Sequence, residues 1–250
     1  MIDLRTDFQE RVNEVDAYMK LVTAIEHAAQ QGTPILRNRK GDVSTVEPLQ
    51  QKIIYGGVYI YLYNLVEATV SRCIAAIENA ASAASRWRAD DLSTQLRSEW
   101  VRSVARTHED LATENRFKAA IDMCEHLVAM LPVSIKIERG GGGNWDDIAI
   151  ARVANRIGVQ LQLNVATESR IKRHVRDNKG PLALIKHLRN KLAHGEMSFS
   201  ECGDGRTSTE LEELVSLTKN YLEEVITSFE TFIARYEFLQ PARRPASGGA

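Results

Sequence analysis

Arg189, Asn190 and His194 bring a permanent cation, a polar amide and a titratable imidazole onto one short segment. These are the side-chain types that proton transfer beside an anion requires. An imidazole titrates near neutral pH, so it can take or give a proton. A guanidinium keeps its charge at any physiological pH and matches two anionic oxygens at once. The bare spacing Arg-x4-His carries little weight, since a chain with this arginine and histidine content supplies about half a match by chance.

A helix must carry these residues if they are to act together. Pro181 after Gly180 suits a first helical turn, where its missing N–H costs nothing. Leu182, Ile185, Leu188 and Leu192 recur at helical spacing and predict a buried stripe. Gly195 suits the position just past a helix end. His194 then closes the last turn, where the dipole favours a protonated ring. At about 100° per residue, His187, Asn190, Lys191 and His194 cluster opposite the stripe, with Arg189 at its edge. His194 is therefore expected to face solvent or a partner.

Asn64, Glu67 and Ser71 form a polar ridge on an otherwise apolar helical segment. A carboxylate there is costly unless paired, and Arg189 is a candidate partner. The pair can be a structural tie or part of the chemistry. Arg170, Lys172, Arg173, His174, Arg176 and Lys179 make the densest basic cluster. On one helix they could grip phosphates; the alternative is a solvated face.

The longer string from Arg189 to Gly203, RNKLAHGEMSFSECG, resembles the signature of the HEPN superfamily (higher eukaryotes and prokaryotes nucleotide-binding), and within it the prokaryotic MAE-type HEPN-like nucleases. The resemblance extends to Leu4–Phe8 with Arg11-Val12 and Glu14-Val15, to Leu62–Val70, and to Gly143-Asn144 ahead of a helix. It implies an all-α bundle and a metal-independent endoribonuclease of a toxin–antitoxin or phage-defence system. RNA would be cleaved by 2′-hydroxyl attack, leaving a 2′,3′-cyclic phosphate. His194 would be the general acid/base, Arg189 would hold the scissile phosphate, Asn190 would orient one of them, and Glu67 would face the motif from an earlier helix. Lys191, Arg170, Lys172, Arg173 and Arg176 are the candidate RNA contacts. The expected partners are RNA, a second copy placing two motifs across one groove, and an antitoxin protein. The alternatives are a non-catalytic HEPN module that binds nucleotide, RNA or a protein, and a helical scaffold with no ligand.

Composition excludes other classes. A formal net charge of −1 gives no global pull toward nucleic acid or membrane, so any RNA contact must be local. Cys73, Cys124 and Cys202 are odd in number and form no C-x-x-C pair, which argues for a reducing, cytoplasmic setting and against zinc. The acid-bearing N-terminus is no signal peptide, and no stretch reaches the roughly 18 uninterrupted apolar residues of a membrane span. The absence of H-E-x-x-H, G-x-S-x-G and a Rossmann fingerprint leaves no metal or cofactor expected. Gly140–Gly143 is no phosphate loop, since no Gly-Lys-Ser/Thr follows, and His27, His108 and His126 lack metal-ligand spacing.

The remaining pattern is helical. Leu4, Phe8, Val12, Val15, Met19, Val22 and Ile25 predict a long first helix ending near Gly32-Thr33-Pro34. Residues 35–48 read as a loop or short hairpin. A second long helix is expected over 49–84, buried on several sides, with Gly56-Gly57 permitting close packing or a kink. Further helices are expected over 91–106, 113–130, 144–157 (capped by Asn144) and 166–176, with a short strand at Val133–Ile137. After the motif helix come a loop over 196–208 and a last helix to Phe238, capped by Thr209 and Glu212. One HEPN-like helical domain over 1–238 is expected, with 85–180 as an elaborating insertion and 239–250 as a disordered tail.

Overall fold

The computed structural model describes residues 3–83, 86–106, 112–139 and 144–245, which form nine α-helices and one two-stranded hairpin. Gly140–Gly143 and His108 lie outside them, as do residues 246–250 of the expected tail. α1 (Leu4–Gln31) begins at Asp3, whose carboxylate accepts the Arg5 and Thr6 amides, and its buried residues are the seven picked out by periodicity. β1 (Ile35–Arg37) and β2 (Val43–Thr45) pair antiparallel on the surface.

α2 (Pro48–Ser82) is the central element, packed by α1 and by α7 (Pro181–Ala193), α8 (Phe199–Gly203) and α9 (Ser208–Ala234). It holds an 18-residue window of mean hydropathy 1.2, and more than half of that window is buried inside the bundle. Glycines on α2 and α8 set how closely the two helices approach. A Cβ on Gly56 would lie 2.3 Å from the Phe199 carbonyl oxygen, and one on Gly203 would lie 1.9 Å from that of Lys52. On the other side, Gly57 leaves room for the Tyr18 hydroxyl, which donates to the Ile54 carbonyl at 2.7 Å. α2 runs through both glycines without a break, so their role is close packing.

Among the described residues of 85–180 stand four helices: α3 (Thr94–Ala105), α4 (Thr113–Val128), α5 (Asp147–Ile157) and α6 (Val165–Lys172). Buried side chains of α3, α5 and α6 join one core that runs from Leu4 to Leu239, and Met123 of α4 packs against it. Glu99 of α3 is 1% exposed and sits between Arg102 at 2.5 Å and Arg156 of α5 at 3.2 Å, so its charge is compensated where it is buried.

Several local expectations are corrected. Val133, Ile135 and Ile137 alternate inward as a strand would, but no strand among the described residues pairs with them. Their amides donate instead to the Trp87 carbonyl, Ser82 Oγ and Glu78 Oε1, so acceptors on and just after α2 replace a ladder. α5 is capped by Asp146, which accepts the Ala149 amide, and not by Asn144. α6 stops at Lys172 rather than 176, because Arg173 is extended and Asp177 and Asn178 form a turn at positive φ. The expected loop after the motif contains α8, started by a Ser198–Glu201 capping box. α9 is capped by Thr207 with Glu210, two residues before the expected pair. Nor does the chain leave the bundle at Phe238. Leu239 is fully buried and bridges to Leu92, the Gln240 amide donates to the Asp91 carbonyl, and residues 241–243 form a 3-10 turn.

Candidate functional site

α7 carries the motif. It is seated at its start by Gly180, where a Cβ would lie 2.6 Å from the Ile171 carbonyl oxygen. Leu182, Leu184, Ile185 and Leu188 are buried, while Leu192, the last residue of the expected stripe, is only part-buried. Gly195, at φ +72°, ends the helix. Its amide donates to the Leu192 carbonyl at 3.3 Å and that of Glu196 to the Lys191 carbonyl at 2.9 Å, the paired bonds of a Schellman cap. His194 is thereby held at the helix end with its side chain exposed. Its own amide donates to the Asn190 carbonyl at 3.0 Å.

Arg189 turns from the helix edge toward α2. Its guanidinium carbon lies 4.2 Å from the centre of the Tyr63 ring, and Nη2 lies 3.7 Å from Glu67 Oε2. Nη1 donates to Asn190 Oδ1 at 2.9 Å, and Asn190 Nδ2 donates to Asn144 Oδ1 at 3.0 Å. The next amide, of Trp145, donates to the buried Tyr63 hydroxyl at 3.4 Å, which closes a loop of contacts through α2, α7 and the entry to α5. Burial pushes the Tyr63 phenol up from its ordinary pKa, so it stays a neutral ring beneath the cation. Asp146 adds a second tie: it caps α5 and pairs with Lys186, one turn ahead of Asn190 on α7.

Arg189, Asn190 and Glu67 are thus brought together, with His194 one turn further along α7. Gly143 falls outside the described residues, but Asn144 belongs to this network. The basic cluster is dispersed. Arg170 pairs with Glu213 of α9 at 3.3 Å, and Lys172 with Glu168 at 2.5 Å. Arg173 stands exposed at the end of α6, and Arg176 lies in the following turn, 3.6 Å from Asp177. Lys191 is part-exposed on α7. His187 is held below its ordinary pKa first by burial, then by the charges of Lys179 and Lys191.

Sequence reasoning missed Tyr63, Lys186 and Asp146. Tyr63 stands four residues before Glu67 and so shares its helix face, a signal present in the spacing. Lys186 and Asp146 are distant in sequence, and only folding joins them. Among the described residues, no three His, Cys, Asp or Glu side chains form a metal-ligating group.

This arrangement has a clear chemical capacity. The guanidinium is oriented by a ring, a carboxylate and an amide, and keeps a solvent-facing part for an anion, its side chain being 28% exposed. The exposed imidazole at the helix end is free of core packing and open to an approaching ligand. No curated protein and no solved structure matches the chain. A family model does, the MAE_28990-like HEPN, over residues 2–238. That match takes in every helix of the bundle and the whole network around Arg189, and the chain belongs to the HEPN family.

Proposed function

We propose that this protein is a metal-independent endoribonuclease, acting in the cytoplasm as the effector of a prokaryotic toxin–antitoxin or phage-defence system. The observation that carries the reading is the oriented Arg189 guanidinium, fixed between Tyr63, Glu67 and Asn190 on the helix that ends in an exposed His194. In this mechanism Arg189 binds the scissile phosphate through its free edge. His194 takes the 2′-hydroxyl proton as O2′ attacks phosphorus. The P–O5′ bond breaks, and the 5′-oxygen leaves with a proton from the His194 of a second copy. The products are a 2′,3′-cyclic phosphate and a 5′-hydroxyl. A homodimer supplies both imidazoles from one motif, as a two-fold groove would. Glu67 and Asn190 orient Arg189, while Lys191, Arg170, Lys172, Arg173 and Arg176 contact the RNA backbone.

The deciding experiment compares cleavage of a pool of RNAs by the parent chain, His194→Ala and Arg189→Lys, with and without EDTA. Cleavage that survives EDTA, falls by about 10²–10⁴-fold in His194→Ala and is not rescued by the point charge of lysine supports the assignment. Cleavage at the parent rate by His194→Ala overturns it.

One observation favours a second reading, a non-catalytic module that binds RNA, nucleotide or an antitoxin protein. Arg189 already has a carboxylate partner in Glu67, as a structural arginine would. A parent chain that binds RNA without cleaving any of the pool, with variants that change affinity alone, selects this reading.

A further inference from the structure

α4 is apolar on two opposite faces. Its inner face, Ala119, Met123 and His126, packs inward, with the His126 ring 5.1 Å from that of Trp100 on α3. Half a turn away, Phe117, Ile121, Cys124 and Val128 recur at intervals of four, three and four along the helix. Phe117 is 65% exposed, Ile121 40% and Val128 86%, and Cys124 is exposed with them. Single exposed apolar residues need no explanation, but a continuous stripe along a helix does. Spacing of this kind is the seam of a two-helix coiled coil.

The charges beside the seam point to its occupant. Along one flank stand Lys118 and Glu125, seven residues apart, and along the other stand Ala120 and Leu127. When a second α4 is laid antiparallel across a two-fold axis between Asp122 and Met123, Phe117 meets the other copy's Val128. Ile121 then meets its Cys124. The same operation sets Lys118 beside the other copy's Glu125, twice, and sets the apolar flanks against each other. A parallel pairing would instead set Glu125 beside the other copy's Ala120 and leave the two charges apart. We infer that the outer stripe of α4 is a self-association surface that pairs two copies of this chain antiparallel. This contact is separate from the groove in which two His194 motifs would meet.

The test uses the full chain. Mass is followed by light scattering from low-micromolar to several-hundred-micromolar concentration, alongside cross-linking with a short bis-maleimide. Cys73 and Cys202 are buried, so Cys124 is the exposed thiol among the three cysteines. The expected results are a concentration-dependent doubling of mass and a cross-linked pair that Cys124→Ser abolishes. Ile121→Glu and Val128→Glu should each halve the mass at a given concentration. Both sites face away from the core, and unchanged circular dichroism and melting would show that the fold is retained. Lys118→Glu should weaken association at least tenfold, and Lys118→Glu with Glu125→Lys should restore it. His194→Ala should leave this step unchanged. A mass indifferent to both glutamate substitutions, or no doubling at any concentration, overturns the inference and assigns the stripe to a different protein. Failure of the charge swap to rescue overturns the antiparallel register.

Discussion

The guanidinium carbon of Arg189 sits 4.2 Å over the centre of the Tyr63 ring, so the motif cation rests on a neutral aromatic floor built into the central helix. Glu67 reaches the same guanidinium from one turn further along α2. The ring sets the position of the cation, the carboxylate its rotation, and the Asn190 amide its remaining freedom.

Tyr63→Leu should therefore loosen Arg189 without removing any polar group from the surface. A cation–π contact of this kind contributes about 1–2 kcal/mol. RNA cleavage should fall by roughly 5- to 30-fold, mostly in kcat. Tyr63→Phe keeps the ring and loses only the acceptor for the Trp145 amide, so it should retain most of the activity. Equal losses in the two variants would show that the hydroxyl, not the ring face, matters.

The packing of α8 on α2 can be tested with a single methyl group. Gly203→Ala places a Cβ where the Lys52 carbonyl oxygen already sits, and backbone cannot step aside as a flexible side chain can. Thermal unfolding should show a loss of about 1–3 kcal/mol or more. Gly195→Ala meets no neighbour and carries only the strain of its φ of +72°, so its cost should stay near 1 kcal/mol. Equal melting temperatures for the two variants would refute the close-approach account.

His187 should make stability depend on pH in one direction. Its folded-state pKa is depressed, so below about pH 6.5 the unfolded chain binds a proton that the folded chain resists. Unfolded molecules then hold more protons, and stability falls as pH drops through that range. His187→Gln should flatten the dependence of melting temperature on pH between about 7.5 and 5.5. An unchanged slope would place the sensitivity elsewhere.

Neutralising Arg170, Lys172, Arg173 and Arg176 together should weaken RNA binding with little sequence preference. Because Glu213, Glu168 and Asp177 already engage Arg170, Lys172 and Arg176, the logarithmic salt slope should flatten by roughly one charge rather than four. A binding isotherm titrated with potassium chloride measures this. A slope that does not move would remove this region from the RNA path.

The periodicity of residues 4–25 is enough to specify α1, since a single apolar face decides both the helix and its orientation. Pro181 and Gly195 bound α7 for a related reason: their backbone preferences act locally. The exposure of His194 also follows from helical geometry. A rotation of about 100° per residue carries it to the side opposite Leu182, Ile185 and Leu188. Such features depend on neighbours in the chain, so one sequence suffices to read them.

Other features arise only when the bundle assembles. The basic run from Arg170 to Lys179 could sit on one helix by its sequence, but the turn at Asp177 and Asn178 lets Gly180 pack on Ile171 and splits the charges between α6 and the turn. Val133–Ile137 alternates like a strand, yet a strand needs a partner, and side chains of α2 take up its amides instead. The Glu67–Arg189 contact can be anticipated from the cost of an unpaired carboxylate. The Tyr63 floor is signalled only by its place one turn before Glu67 on the same helix face. The Asn190–Asn144 bond and the Asp146–Lys186 tie cannot be anticipated, because each joins residues whose separation along the chain carries no information about their distance in space. Local preferences along the chain thus account for the helices and for the chemical types at the motif. Packing around α2 sets which way the Arg189 cation points, because only the assembled bundle brings a ring, a carboxylate and an amide to one guanidinium.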